Sequence, residues 1–190
     1  MWLLKNNGKG LSVVVTTLII LVVSVLLATI VTFYAINVVT TRVQEESLHI
    51  SKQHVWYNAT GGWSVAALVI IDAGGRDVVI DKISVRGREC PWSTVYYWRT
   101  EGTISADLNV TIVKPSEMSA AQWRQIFTYL DNDETFSQAS SDLTLRSGWT
   151  MVIYIENPDS IASNDVGKTV GITVFTANAQ YYVEANVEAT

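Results

Sequence analysis

The chain has 190 residues, with 13 Lys and Arg against 18 Asp and Glu, for a formal charge of −5. At 21.0 kDa it has room for one globular domain and an appendage, and its acidic balance gives no attraction to nucleic acid or to an anionic membrane surface. Cys90 is the only cysteine, which excludes an internal disulfide and a thiolate metal cluster.

The first element is apolar. No residue between Leu11 and Thr41 is charged, and Leu, Ile, Val and Thr dominate the run. A bilayer core takes roughly 20 residues of helix, whereas this run of about 31 would extend about 45 Å at ~1.5 Å per residue. Without water the backbone must satisfy itself, so a helix is expected in spite of the β-branched content. Lys5 and Lys9 precede the run with no acid among them, while Arg42 is followed by Glu45 and Glu46. That asymmetry places the N-terminus in the cytoplasm and the remainder outside. In a secretory signal removed behind its apolar stretch, that stretch would be only about 7–15 residues long and end in a small-x-small site, and the run has neither property. Ser12, Thr16, Thr17, Ser24, Ala28, Thr32 and Ala35 recur along it, permitting close helix contacts and local or interhelical hydrogen bonds. Beyond Thr41, Val43, Leu48, Ile50 and Val55 stand among polar residues up to Gly61-Gly62, which predicts that the helix continues to about Tyr57 and breaks at the glycines. Trp56 and Tyr57 then supply the first contacts with the head.

The short basic leader ending in Lys9-Gly10, with GKGLSVVVTTLIILVVSVLLATIVTFY running from it, resembles the class III signal peptide of type IV pilins, and of the archaeal pilins and archaellins in particular. The resemblance implies that a prepilin peptidase cuts after Gly10 and leaves Leu11 first. It further implies that the freed helix packs with its copies in the core of an extracellular filament, a homo-oligomer raised by a pilus assembly machinery from a precursor held in the cytoplasmic membrane. The other reading of the same segment is a signal anchor that holds a monomeric binding domain at the cell surface. On either reading the chain divides into a leader over 1–10, a long helix over 11–60 and a head over 61–190.

In the head, Ser64–Ile71 and Asp77–Gly87 read as two strands of a hairpin turning over Asp72–Arg76. Ser93–Thr100 and Thr103–Val113 read as a second pair turning at Glu101-Gly102, rich in β-branched and aromatic residues. Pro115-Ser116 offers a helix entry, and Met118, Trp123, Ile126, Phe127 and Leu130 approximate a helical stripe. Asp142–Pro158, Lys168–Ala177 and Gln180–Ala189 supply three or four more strands, the last two turning near Asn178-Ala179. The predicted class is α+β: a long hydrophobic N-terminal helix, then an immunoglobulin-like β-sandwich with one short inserted helix.

Few residues suggest chemistry. Asn58-Ala59-Thr60 and Asn109-Val110-Thr111 are N-glycosylation signals on the predicted outer side, with Asn58 the better placed because Asn109 falls in a predicted strand. His49 and His54 are about 140° apart on a helix, which removes the geometry of a metal-binding pair. A copper site would need both to converge with Cys90, which the stalk-and-head division separates. Asp131, Asp133 and Glu134 lack the glycine of a calcium loop, Phe136 standing in its place. No histidine follows His54, so no serine or cysteine of the head has an imidazole base nearby in sequence. Gly74-Gly75 precedes a strand and is a turn, not a phosphate cradle. The tryptophans and tyrosines alternate with aliphatics and are expected in the core. No metal or cofactor is expected, and the function expected is structural and not enzymatic.

Overall fold

The computed structural model describes residues 8–43 and 45–190, with side chains for 12–40, 45–159 and 161–190. It forms two compact units, one ending at Val43 and one running from Gln44 to Thr190. The first seven residues of the predicted leader lie outside the described residues, whereas Gly10 and Leu11 belong to the backbone of the first helix.

Helix α1 spans Gly8–Val43. Within it, Ser12–Thr40 is long and apolar enough to cross a membrane, with mean hydropathy 2.9. Every side chain from Ser12 to Thr40 is exposed. Its threonines from Thr16 to Thr40 and its Ser24 are satisfied internally. Thr16 donates to the Ser12 carbonyl at 2.8 Å, Ser24 to Ile20 at 2.7 Å, Thr29 to Val25 at 2.8 Å and Thr32 to Ala28 at 2.8 Å. Bonding back to the preceding turn lets polar groups sit in an apolar medium without desolvated, unpaired atoms.

The helix ends at Val43, not near Tyr57. Leu48–Asn58 is strand β1, so the head begins before the glycine pair instead of after it. The physical reason is a β-bulge between Ser51 and His54, with Lys52 at φ 52°. Leu48 and Ile50 face the core before the bulge and Val55 and Tyr57 face the same core after it. An inserted residue shifts the inward phase by one, which turns a period of two into spacings that imitate a helix. Gly61-Gly62 lies in the turn from β1 into β2, Trp63–Asp72, and the two strands pair antiparallel from Asn58↔Trp63 to Leu48↔Asp72.

The remaining strands are β3 (Val78–Val85), β4 (Arg88–Glu89), β5 (Val95–Thr100), β6 (Ser137–Gln138), β7 (Leu143–Leu145), β8 (Thr150–Glu156), β9 (Thr169–Thr176) and β10 (Gln180–Ala189). They form one curled, sandwich-like sheet in the order β4-β3-β9-β10-β1-β2-β8-β5-β6, with β7 on β3. The fold is therefore α+β as expected, and β9 and β10 make the expected closing hairpin. A parallel ladder, Val55↔Val187 to Tyr57↔Ala189, joins the two halves of the sheet.

Two expected pairings do not occur. β2 pairs with β1 and β8, while β3 pairs with β4, β7 and β9, so residues 73–77 cross between the halves and do not close a hairpin. The crossing docks on 45–47: Ala73 N–H donates to the Ser47 carbonyl at 2.9 Å. A Cβ on Gly74 would stand 2.7 Å from the Glu45 carbonyl oxygen, so only glycine permits that approach. Thr103–Val113 forms no strand. The edge partner of β5 is instead β6, through Tyr96↔Gln138 and Tyr97↔Ser137.

The absent strand has another use. Alternate residues of β2 and β8 point into two separate cores. Leu68, Ile70, Met151 and Ile153 join Ile80, Ile83, Ile172 and Val174 between the halves of the sheet. Val65, Val69, Val152 and Tyr154 pack outward against Ile104, Leu108, Trp123, Phe127, Leu130 and Phe136. Burial on both faces explains why WSVAALVIID and TMVIYIE are continuous apolar runs and not alternating ones. The outer layer is built on α2, Ala120–Ile126, preceded by a 3₁₀ turn at Pro115–Glu117. Ser119 and Gln122 cap the helix reciprocally, placing its start beyond the proline that signals the approach.

Candidate functional site

Gly10 and Leu11, the expected cleavage pair, are consecutive residues of the α1 backbone. Of the two glycosylation signals, Asn58 ends β1 at the turn into β2, its Oδ1 accepting from Gly61 N–H at 2.6 Å, and Thr60 beside it is exposed. Asn109 lies in the strandless segment; its Nδ2 donates to the Ile126 carbonyl at 2.8 Å and its own carbonyl accepts from the Tyr154 hydroxyl at 2.9 Å. Thr111 is buried, with its hydroxyl unpartnered.

His49 and His54 are on β1, not on a helical stalk. The His54 ring stacks on Trp56 at 4.9 Å and its Nε2 lies 2.9 Å from Asp107 Oδ1. That hydrogen bond, more than any other influence, holds the Asp107 carboxyl below its ordinary pKa. Nearby, Lys52 on the bulge reaches the Ser105 carbonyl at 2.5 Å and the Ala106 carbonyl. The Tyr129 hydroxyl accepts from the N–H groups of Ser105 and Ala106 at 3.0 and 2.8 Å. These contacts pin residues 105–107 to the sheet and to the layer beyond α2, which is how a long segment without strand pairing keeps one course. Cys90 is buried, and burial pushes its thiol up to about 11, so it is protonated and unreactive at neutral pH. Among the described residues no group of three His, Cys, Asp or Glu could hold a metal ion.

Two further clusters arise only on folding. Arg86 Nε lies 3.3 Å from Asp159 and its Nη1 3.1 Å from Asp165, which also receives Lys168 at 3.2 Å. Arg86, Asn157 and Asp159 all have positive φ, so this corner spends backbone strain to converge its charges. In the second cluster Glu46 accepts from Thr176, and from Asn178 at 3.0 Å. Asp72, 1% exposed, accepts from Gly74 N–H at 2.8 Å through Oδ1 and leaves Oδ2 unpartnered. Burial, then the charges of Asp77 and Glu46, raise the Asp72 pKa against the opposing Gly74 hydrogen bond.

The head also carries an open groove of about 540 Å³ whose lining includes Tyr97, Arg99, Glu134, Thr144, Arg146 and Trp149. These residues come from β5, the loop before β6, β7 and the approach to β8, so no local motif announces them.

No protein-family model matches the chain, and no curated protein matches it. Among solved structures it is similar to a copper-bound PCuAC domain from PmoF2, at 14% identity and TM-score 0.34, over 77% of this chain and 99% of that one. It is also similar to the ligand binding region of serine-glutamate repeat protein A of Enterococcus faecium, at 12% identity and TM-score 0.28, over 77% of this chain and 97% of that one. At these TM-scores neither likeness transfers a ligand or an activity. The two units themselves, an apolar helix of membrane-spanning length and a β-rich domain, fit a protein attached to a membrane or displayed at a cell surface.

Proposed function

We propose that the chain is a structural subunit of an extracellular, type IV pilus-like filament, assembled through α1 after cleavage between Gly10 and Leu11. The observation that carries this reading is the helix itself. Its 29 residues from Ser12 to Thr40 are exposed without exception, extend about 43 Å at ~1.5 Å per residue, and exceed the roughly 30 Å of a bilayer core. It has no polar stripe to turn toward water, and its threonines from Thr16 to Thr40 and its Ser24 bond back to its own carbonyls. Such a surface is suited to burial on all sides, first by lipid and then by copies of itself. Small residues let backbones approach, and packing replaces lipid contacts at little cost. In this reading the acidic heads face outward, Asn58 is the accessible glycan acceptor, the partners are identical subunits with a prepilin peptidase and an assembly machinery, and the role is structural rather than catalytic.

The competing reading, a monomeric surface domain held by an uncleaved anchor, uses the same helix. Replacing the residue before the cut separates the two. In the Gly10→Trp variant a filament subunit accumulates as a longer precursor in the membrane and surface filaments are lost. Unchanged mass and unchanged surface display would contradict cleavage and favour the anchor.

A further inference from the structure

We propose that the open groove of the head binds an acidic saccharide, a sugar chain carrying carboxylates. The groove lies where the curled sheet fails to close. β5 has β8 and the two-residue β6 as its partners, and β7 pairs with β3, so the stretch of β5 beyond β6 and the free edge of β7 flank the opening. Arg99 bridges them, donating from Nη1 to the Thr144 carbonyl at 2.6 Å. Its guanidinium stands 5.1 Å over the Tyr97 ring, and that of Arg146 stands 5.2 Å over Trp149.

Both cations are therefore oriented by an aromatic face, yet among the described residues neither pairs with a carboxylate. On a chain of net charge −5, two pre-positioned guanidiniums facing one opening leave planar donor sites matched to a carboxylate. Tyr97 and Trp149 are half-buried and give the C–H face of a pyranose ring apolar surface to cover. Glu134, also in the lining, has its carboxylate held by Trp98 Nε1–H at 3.1 Å and is an acceptor for sugar hydroxyls. The same carboxylate, with Asp133 beside it, repels a dense polyanion, so the mixed lining selects a ligand with hydroxyls as well as a carboxylate. A groove of about 540 Å³ is of a size to take a short oligosaccharide and not a folded partner.

The test uses the full chain in detergent micelles, with trigalacturonate and the neutral galactose trimer as probes, read by titration calorimetry and tryptophan fluorescence. Trigalacturonate is expected to bind at least about tenfold more tightly than the neutral trimer, and Arg146→Gln to weaken it by at least about tenfold. Arg146→Lys, which keeps the charge and loses the planar fork, should fall between. Because the Arg146 side chain is exposed and makes no hydrogen bond within the described residues, the variants should keep the thermal midpoint of the parent, and a shifted midpoint restricts the comparison to the two probes on the parent chain. No binding at about 10 mM, equal affinity for the neutral trimer, or tighter binding of heparin would overturn the proposal.

Discussion

Asp72 shows how a single residue can oppose the stability of its own fold. Its buried carboxyl keeps one oxygen unpartnered and sits near Asp77 and Glu46. Because burial raises its folded pKa above the unfolded value, its contribution to stability is fully present below the ordinary pKa of 3.8 and is lost as pH rises through the folded value. At neutral pH the carboxylate is therefore a cost. Asp72→Asn keeps an oxygen for Gly74 N–H and removes the charge, and should raise stability at pH 7 by about 1 kcal/mol. Thermal melts between pH 3 and 8 check this: the advantage of the asparagine variant should shrink toward acid pH, and a variant less stable at pH 7 would refute the assignment. None of this is visible in sequence, where Asp72 stands at the end of an apolar strand and reads as the first residue of a polar turn.

At the scale of elements, local signals held where one face or one cap decided the structure and failed where pairing did. Of the expected stripe, Trp123, Ile126, Phe127 and Leu130 are buried and Met118 is half-buried, though the helix itself holds only Trp123 and Ile126, and the closing hairpin β9–β10 follows from a short turn between two patterned runs. β1 was hidden by its bulge, since an inserted residue at Lys52 breaks the alternation that marks a strand. The missing β2–β3 hairpin has a different cause: five residues with glycines suit either a turn within a sheet or a crossing between its halves, and only the docking of residues 73–75 on 45–47 decides. Thr103–Val113 has strand-like composition because its apolar residues are needed for the outer core, not for a ladder. Trp123 anchors that layer, stacked on Phe136 at 4.3 Å and set edge-on to Tyr154 at 5.2 Å. Trp123→Ala should cost about 3–5 kcal/mol, measured by urea denaturation, with loss of the near-ultraviolet circular dichroism of the aromatic cluster. A cost below about 1 kcal/mol would mean that the α2 layer contributes little to the head.

For the whole molecule, the apolar helix was legible in sequence over its charge-free run, which admits few other structures, but its end was expected near Tyr57 and stands at Val43; the groove was not legible, because its residues meet only when the sheet curls. The energetics of the proposed assembly depend on the starting medium. Burying apolar area from water stabilises by roughly 25 cal/mol per Å², but a helix drawn from lipid gains far less, since lipid is already apolar. Filament growth on this reading requires an assembly machinery to move subunits out of the bilayer, and close packing between helices to retain them. The most direct test is electron microscopy of material sheared from cells that make this chain, decorated with antibody against the head. The account predicts continuous label along thin filaments, absent when Gly10 is replaced by Trp; label confined to membrane fragments, with the chain extracted as a detergent-solubilised monomer, would contradict it.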